Sequence, residues 1–334
     1  MKKGFLATVL TAGIFLFVTS CGETSKENNV GDFPPLKVHR LDKTISEYSK
    51  SNDKSLLEDS IVKNGVMAVS AMLNMGHPNE NAFEEYVKSE DLKVFTAEVD
   101  KSFSDFASIE NVLGGVKINI EKELPGVKMC DIYSIVSTNR HHSIYMTDSL
   151  TMLLVLNHYL GANHNAYKGF DEYIKATKEE KYIPYDVVEA LIANTSYAYH
   201  STGEEPLLAM LLYQGALVEA KMRIVPGATL ASALGYNEEQ LKWLEDNEKK
   251  AWETIVSQEM LYSTSPDNIS KLISPAPATT IINANAPGRA GRYLGYKIVK
   301  AYLEKNPSTT LAQLLSPTFY TDQQSFIASG YQGN

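Results

Sequence analysis

The chain has 334 residues, 44% hydrophobic and 21% charged, an ordinary globular composition able to bury a sizeable core in one large domain or two. Its formal charge is -9, and removing Lys2 and Lys3 leaves 29 basic against 40 acidic side chains, near -11. That balance argues against a nucleic-acid binder, which needs cations to meet phosphates.

Residues 1–20 form a processing segment. Lys2 and Lys3 give the positive start, and the apolar run from Phe5 to Val18 is too short for a comfortable membrane span. The run ends in Val18-Thr19-Ser20-Cys21, the pattern of a bacterial lipobox: an aliphatic residue, two small ones, then the Cys that receives lipid. Each buried methylene of an acyl chain contributes about 0.8 kcal/mol, so acylated Cys21 predicts a permanent hold on the lipid bilayer. Residues 21–36 read as the lipidated Cys and a flexible tether, polar and closed by Pro34-Pro35. Such a tether averages roughly 20 Å and stretches to about 45 Å. Cys130 is then left without a disulfide partner, and its apolar run, Val127 to Val136, predicts a buried, inert thiol.

Residues 37–334 read as one α+β domain, predominantly helical. The helical N-terminal half has amphipathic segments over 42–50, 55–75, 79–89 and 100–113, punctuated by Pro78 and Gly114-Gly115. At about 127–156 the period changes. Runs over 127–136, 143–146 and 150–156 predict a small antiparallel meander, the third run reading alternatively as the start of a helix ending at Gly161, with His141 and His142 as solvated residues at its first hairpin. A polar connector with Phe170 and Tyr173 follows.

Next comes a helical pair. The first helix opens at Pro184-Tyr185-Asp186 and carries apolar residues to Tyr199, leaving Glu189 and Asn194 on other faces; a break follows at Ser201-Thr202-Gly203. The second starts near Pro206 and is apolar on almost every face to Ile224, which predicts the buried centre of the domain. A long helix over 237–261 has an N-terminal signal at Asn237-Glu238-Glu239. Residues 263–287, rich in Pro, predict an irregular loop. Pro287-Gly288-Arg289 opens a helix over 290–305, where Gly291 and Gly295 predict close packing onto the core. A short helix over 309–315 precedes an aromatic, polar tail. There are no solenoid repeats.

The catalytic signals are missing. G-x-S-x-G, the Gly-rich phosphate loops and H-E-x-x-H are absent, and no two His lie four residues apart to aim at one metal from a helix face. The paired acids Glu84-Glu85, Glu179-Glu180 and Glu238-Glu239 point to different helix faces and read as solvated surface. Polar candidates on the central pair are limited to Asn194, His200, Gln214 and Glu219. No catalytic residue, cofactor or metal ligand is assigned. Arg289 and Arg292, flanking a Gly-rich turn, are candidate contacts for an acidic partner, weighed against simple pairing within the fold.

Several stretches in order resemble the gliding-motility lipoprotein GldB family of Bacteroidetes. They are V-H-R-L-D-K (38–43), L-N-H-Y-L-G (156–161), Y-I-P (182–184), L-L-Y-Q-G (211–215), G-Y-N-E-E-Q-L-K-W-L-E-D-N-E (235–248), L-Y-S-T-S-P (261–266) with P-A-P after it, and P-G-R-A-G-R-Y-L-G-Y-K-I-V (287–299). The resemblance implies an envelope lipoprotein, outer membrane by expectation, with protein partners in motility or secretion machinery and no established reaction. It also implies a distant similarity to zincin-type zinc metallopeptidases, hence a degenerate zincin-like fold. In those the first central helix would bear H-E-x-x-H and the second an E-G-x-A segment. Here the first offers Ala193, Asn194 and Tyr197, and the second reads Gln214-Gly215-Ala216. The leading expectation is a non-enzymatic accessory protein; the alternatives are a diverged metallopeptidase-like hydrolase using His158, His200, Glu204 or Gln214, and a nutrient (glycan) binding lipoprotein using its tyrosines.

Overall fold

A computed structural model describes residues 33–75, 78–139, 141–148 and 150–333. The signal segment, Cys21 and most of the tether therefore lie outside the described residues. The fold is α+β and about 59% helical, with a small four-stranded mixed sheet.

Strand β1 (Val38–His39) leads into α1 (Leu41–Ser51). The V-H-R-L-D-K stretch earns its place through Asp42, which is buried between Arg40 Nε at 2.9 Å, Arg40 Nη2 at 2.7 Å and the Ser134 hydroxyl at 2.5 Å. Helix α2 (Ser60–Leu73) starts at Asp59, whose carboxylate accepts from the amides of Ile61 and Val62. Helices α3 (Ala82–Lys88), α4 (Glu90–Ser102) and α5 (Ala107–Glu123) complete the N-terminal half.

Two expectations are corrected there. The segment predicted as a helix over 100–113 is the end of α4 and the start of α5. The chain breaks between them because Arg40 Nη1 donates to the Phe103 carbonyl at 2.8 Å, while its guanidinium stacks on Phe106 at 4.9 Å. Gly114-Gly115 is no punctuation: both lie inside α5, where a Cβ on Gly114 would sit 2.0 Å from the Pro34 carbonyl oxygen and one on Gly115 2.4 Å from Pro226. Asn111 also donates to the Phe33 carbonyl, so the end of the expected tether is packed onto α5.

Strands β2 (Asp131–Ile135), β3 (Ile144–Asp148) and β4 (Thr151–Val155) form the sheet with β1 in the order β1-β2-β4-β3. The expected antiparallel meander is wrong in its pairing. β2 runs parallel to β4, with Ile132 opposite Met152 and Leu154 opposite Ser134; only β3 is antiparallel, at the edge beside β4. The physical reason lies in burial. Four consecutive residues of β2 and four of β4 are buried, a continuous run that belongs to central parallel strands covered on both faces. Cys130, just before β2, is buried at 4% exposure.

The connector contains α6 (Glu172–Lys175) and leads to the central pair, α7 (Ile183–Ala193) and α8 (Leu207–Ile224). α7 is shorter than predicted: the Asn194 amide donates to the Ala190 carbonyl and the Thr195 hydroxyl to that of Ile192, offering the last turn partners other than further helix. α8 is the centre of the molecule, with 14 of its 18 residues buried. After α9 (Leu230–Leu234), the chain enters α10 (Glu238–Ser257) through a capping box between Asn237 and Gln240. The expected loop over 263–287 holds one more helix, α11 (Pro266–Ile273), with Pro at its first position.

Helix α12 (Ala290–Lys305) lies against α8, as the small residues foretold. Beyond it come α13 (Leu311–Leu314), α14 (Pro317–Tyr320) and α15 (Gln323–Ser329). The expected polar tail is therefore docked structure. Phe326 and Tyr331 pack on Trp252, and the hydroxyls of Tyr293 and Tyr331 donate to the two oxygens of buried Glu248 at 2.7 and 2.8 Å.

Candidate functional site

The central pair does carry a concentration of charge, built from residues that no local pattern brought together. Glu189, on α7, is 37% exposed at its side chain. From the buried side it is held by Lys221 of α8, in a short ion pair, and by Arg292 of α12 at 3.2 Å; these two cations are 4% and 2% exposed. Burial alone would push the Glu189 carboxyl up, but Arg292, Lys221 and Arg289 overcome it and hold the group well below the usual carboxylate range. Lys221 is pulled down by its own burial, against the attraction of Glu189.

One turn earlier on α7 stands Asp186, raised by burial and accepting the Tyr159 hydroxyl at 2.8 Å. Behind it, Lys178 donates from Nζ to His158 Nδ1 at 2.7 Å, and His158 Nε2 meets the Asn139 carbonyl at 2.7 Å. That geometry requires neutral His158 with its proton on Nε2. Burial, and next the Lys178 charge, bring its imidazole down to about 4.

Of these groups Lys178 lines a cleft of about 520 Å³, which is walled by Phe170, Tyr173, Ile174 and Pro275 and also reached by Arg289. The two candidate arginines thus have different fates. Arg292 is buried and paired with Glu189, so it offers no surface to a partner. Arg289 lines the cleft.

The residues present do not fit a zinc ion. Structural and catalytic zinc take three or four ligands from Cys, His and carboxylates. Among the described residues no three His, Cys, Asp or Glu converge so as to hold a metal. Gln214, at the position where the second motif would place a carboxylate, has its amide 3.8 Å from the Met210 sulfur. His200 reaches the Ser196 carbonyl, Glu205 rather than Glu204 binds the turn at Ser201 to Gly203, and Glu219 pairs with Arg223. Asn194 ends α7, and exposed His141 and His142 lie at the sheet end, His141 at the cleft rim. The tyrosines offered as glycan platforms are mostly interior: Tyr213, Tyr236, Tyr293, Tyr320 and Tyr331 are all buried.

The missed residues had one legible signal. Lys221 stands in a helix otherwise apolar almost all round, and a lysine so placed requires a counter-charge. Which acid supplies it depends on how α7 crosses α8, which no local pattern encodes.

The comparisons with known proteins agree with the motifs. The model of one protein family, described as gliding motility protein GldB, matches residues 23–333. No curated protein and no solved structure matches.

Proposed function

The chain belongs to the gliding motility protein GldB family, a family of gliding motility-associated lipoproteins, and from that premise we propose that it is an outer-membrane lipoprotein held by acylated Cys21 and acting by contact rather than catalysis. The family match over nearly the whole chain carries the proposal. The anchor rests on the lipobox, and no helix among the described residues is long and apolar enough to cross a membrane. Contact rather than catalysis is supported by the absent motifs and by Glu189, whose carboxylate is committed to Lys221 and Arg292 instead of standing free as a general base. Its partners are other envelope proteins of the motility or secretion machinery.

The test is replacement of the gene in its own host by a Cys21→Ala form. Radiolabelled palmitate should enter the wild-type chain and not the variant, the variant should leave the outer-membrane fraction, and colony spreading should fail with it. Crosslinking in the wild-type strain should capture envelope proteins. Full spreading by an unlipidated chain in the soluble fraction would overturn the reading.

A further inference from the structure

Arg289 is built to be unusual. It is a non-glycine residue in the left-handed region, φ 65°, at the N-cap of α12. Such a conformation costs on the order of 1 kcal/mol or more and persists only where surroundings impose it. They do so here. The Tyr236 hydroxyl donates to the Gly288 carbonyl at 2.7 Å, the Thr279 hydroxyl donates to the Pro287 carbonyl at 2.6 Å, and the Ala290 amide donates to that hydroxyl at 3.1 Å. A Cβ on Gly288 would lie 1.8 Å from the Ala276 carbonyl oxygen, so the turn is clamped from both sides.

The clamped turn places the guanidinium at the cleft without giving it a partner. The Arg289 side chain has no hydrogen bond or ion pair to any described residue, and its Nε is buried and unsatisfied. Burial, then the nearby Arg292 charge, bring it down to about 10, which leaves it a cation at neutral pH. The local charges do not balance either. Lys178, Lys221, Arg289 and Arg292 face Asp186, Glu189 and, at the cleft rim, Asp171: four cations and three carboxylates. One negative charge is missing.

We propose that the cleft is a binding site for a ligand bearing one free carboxylate beside an apolar group, the carboxylate taken by Arg289 and the apolar group by Phe170, Tyr173, Ile174 and Pro275. A guanidinium matches a carboxylate through two parallel hydrogen bonds. The cleft volume is of the size that holds small ligands or a peptide end. A carboxylate is preferred over a phosphate because the charge deficit is single and Asp171 would repel a dianion. The proposal stands apart from the motility assignment, since it rests on this cleft alone.

The experiment uses the full chain in detergent micelles. Binding of N-acetyl-phenylalanine, its amide N-acetyl-phenylalaninamide and phenyl phosphate is measured by calorimetry at millimolar ligand. In parallel, modification of Arg289 by butanedione is followed through peptide masses. The acid should bind at least about tenfold more tightly than the amide and slow modification of Arg289; Arg289→Gln should abolish the preference while keeping its thermal midpoint. Because the acid–amide comparison and the protection use the unaltered protein, they decide the matter even if the variant does not fold. Equal binding of acid and amide, no protection of Arg289, or no binding of the acid would overturn the proposal. Tighter binding of phenyl phosphate would overturn the carboxylate assignment in favour of phosphate.

Discussion

Gly215 on α8 and Gly295 on α12 meet backbone against backbone: a Cβ on the first would lie 2.2 Å from the carbonyl carbon of the second, and one on Gly295 would lie 2.0 Å from the Leu211 carbonyl oxygen. Backbone cannot rotate out of the way as a side chain can. Gly295→Ala, or Gly215→Ala, should therefore part the helices and lower stability by about 3 kcal/mol or more, at the upper end of overpacking costs. Gly203→Ala meets open space at φ +88° and should lose only about 1 kcal/mol through backbone strain. Urea midpoints of the three variants check the ranking.

The Glu189–Arg292–Lys221 cluster makes a different prediction. Glu189→Gln keeps the shape and strands two cations that are almost wholly buried. Removing one partner of a buried pair costs roughly 3–5 kcal/mol, and the partial exposure of Glu189 reduces that to roughly 2–3 kcal/mol. Adding Lys221→Met should recover part of the loss. Denaturation of the single and double variants, read as a cycle, measures the coupling.

His158 should make the protein sensitive to mild acid. Its imidazole is near 4 in the folded chain against about 6.5 when unfolded, so only the unfolded state takes up a proton between those values. Stability is then unaffected above about pH 6.5 and falls as pH drops toward 4, by roughly 3 kcal/mol in all. His158→Gln should flatten the slope of stability against pH across that window. Urea unfolding at several pH values between 4 and 7 shows whether it does.

Asp42 offers the test of the N-terminal motif. Asp42→Ala leaves buried Ser134 without its short bond and Arg40 without its carboxylate. A loss of roughly 3 kcal/mol is expected, since the stranded groups sit at the contact of α1, β2 and the end of α4. Thermal melts of Asp42→Ala beside Arg40→Ala, which should cost a similar amount, check that the two act as one unit.

These residues also mark how far the sequence could be read. Helix α8 was legible because its apolar residues recur on every face, and α10 and α12 because their starts are written in Asn237 and in Pro287-Gly288-Arg289. Local chemistry suffices for such features. The parallel pairing of β2 with β4 was not legible, since strands of matching composition do not say which neighbour they choose. Gly114-Gly115 looked like a stop and is a seat for Phe33 and Pro34, a role defined only by a partner 80 residues away. The charged site failed to appear for the same reason: Glu189, Lys221 and Arg292 come from three helices, and each alone is an ordinary polar residue.

The seat on α5 has a mechanical consequence. Because Phe33 and Pro34 are pinned against Gly114 and Gly115, a force arriving from the N-terminal side of Phe33 enters the body at α5 rather than at the sheet. The helix that receives it is buried along one face and also abuts Pro226 at Gly115, so the load passes into the interior instead of peeling the edge of the fold.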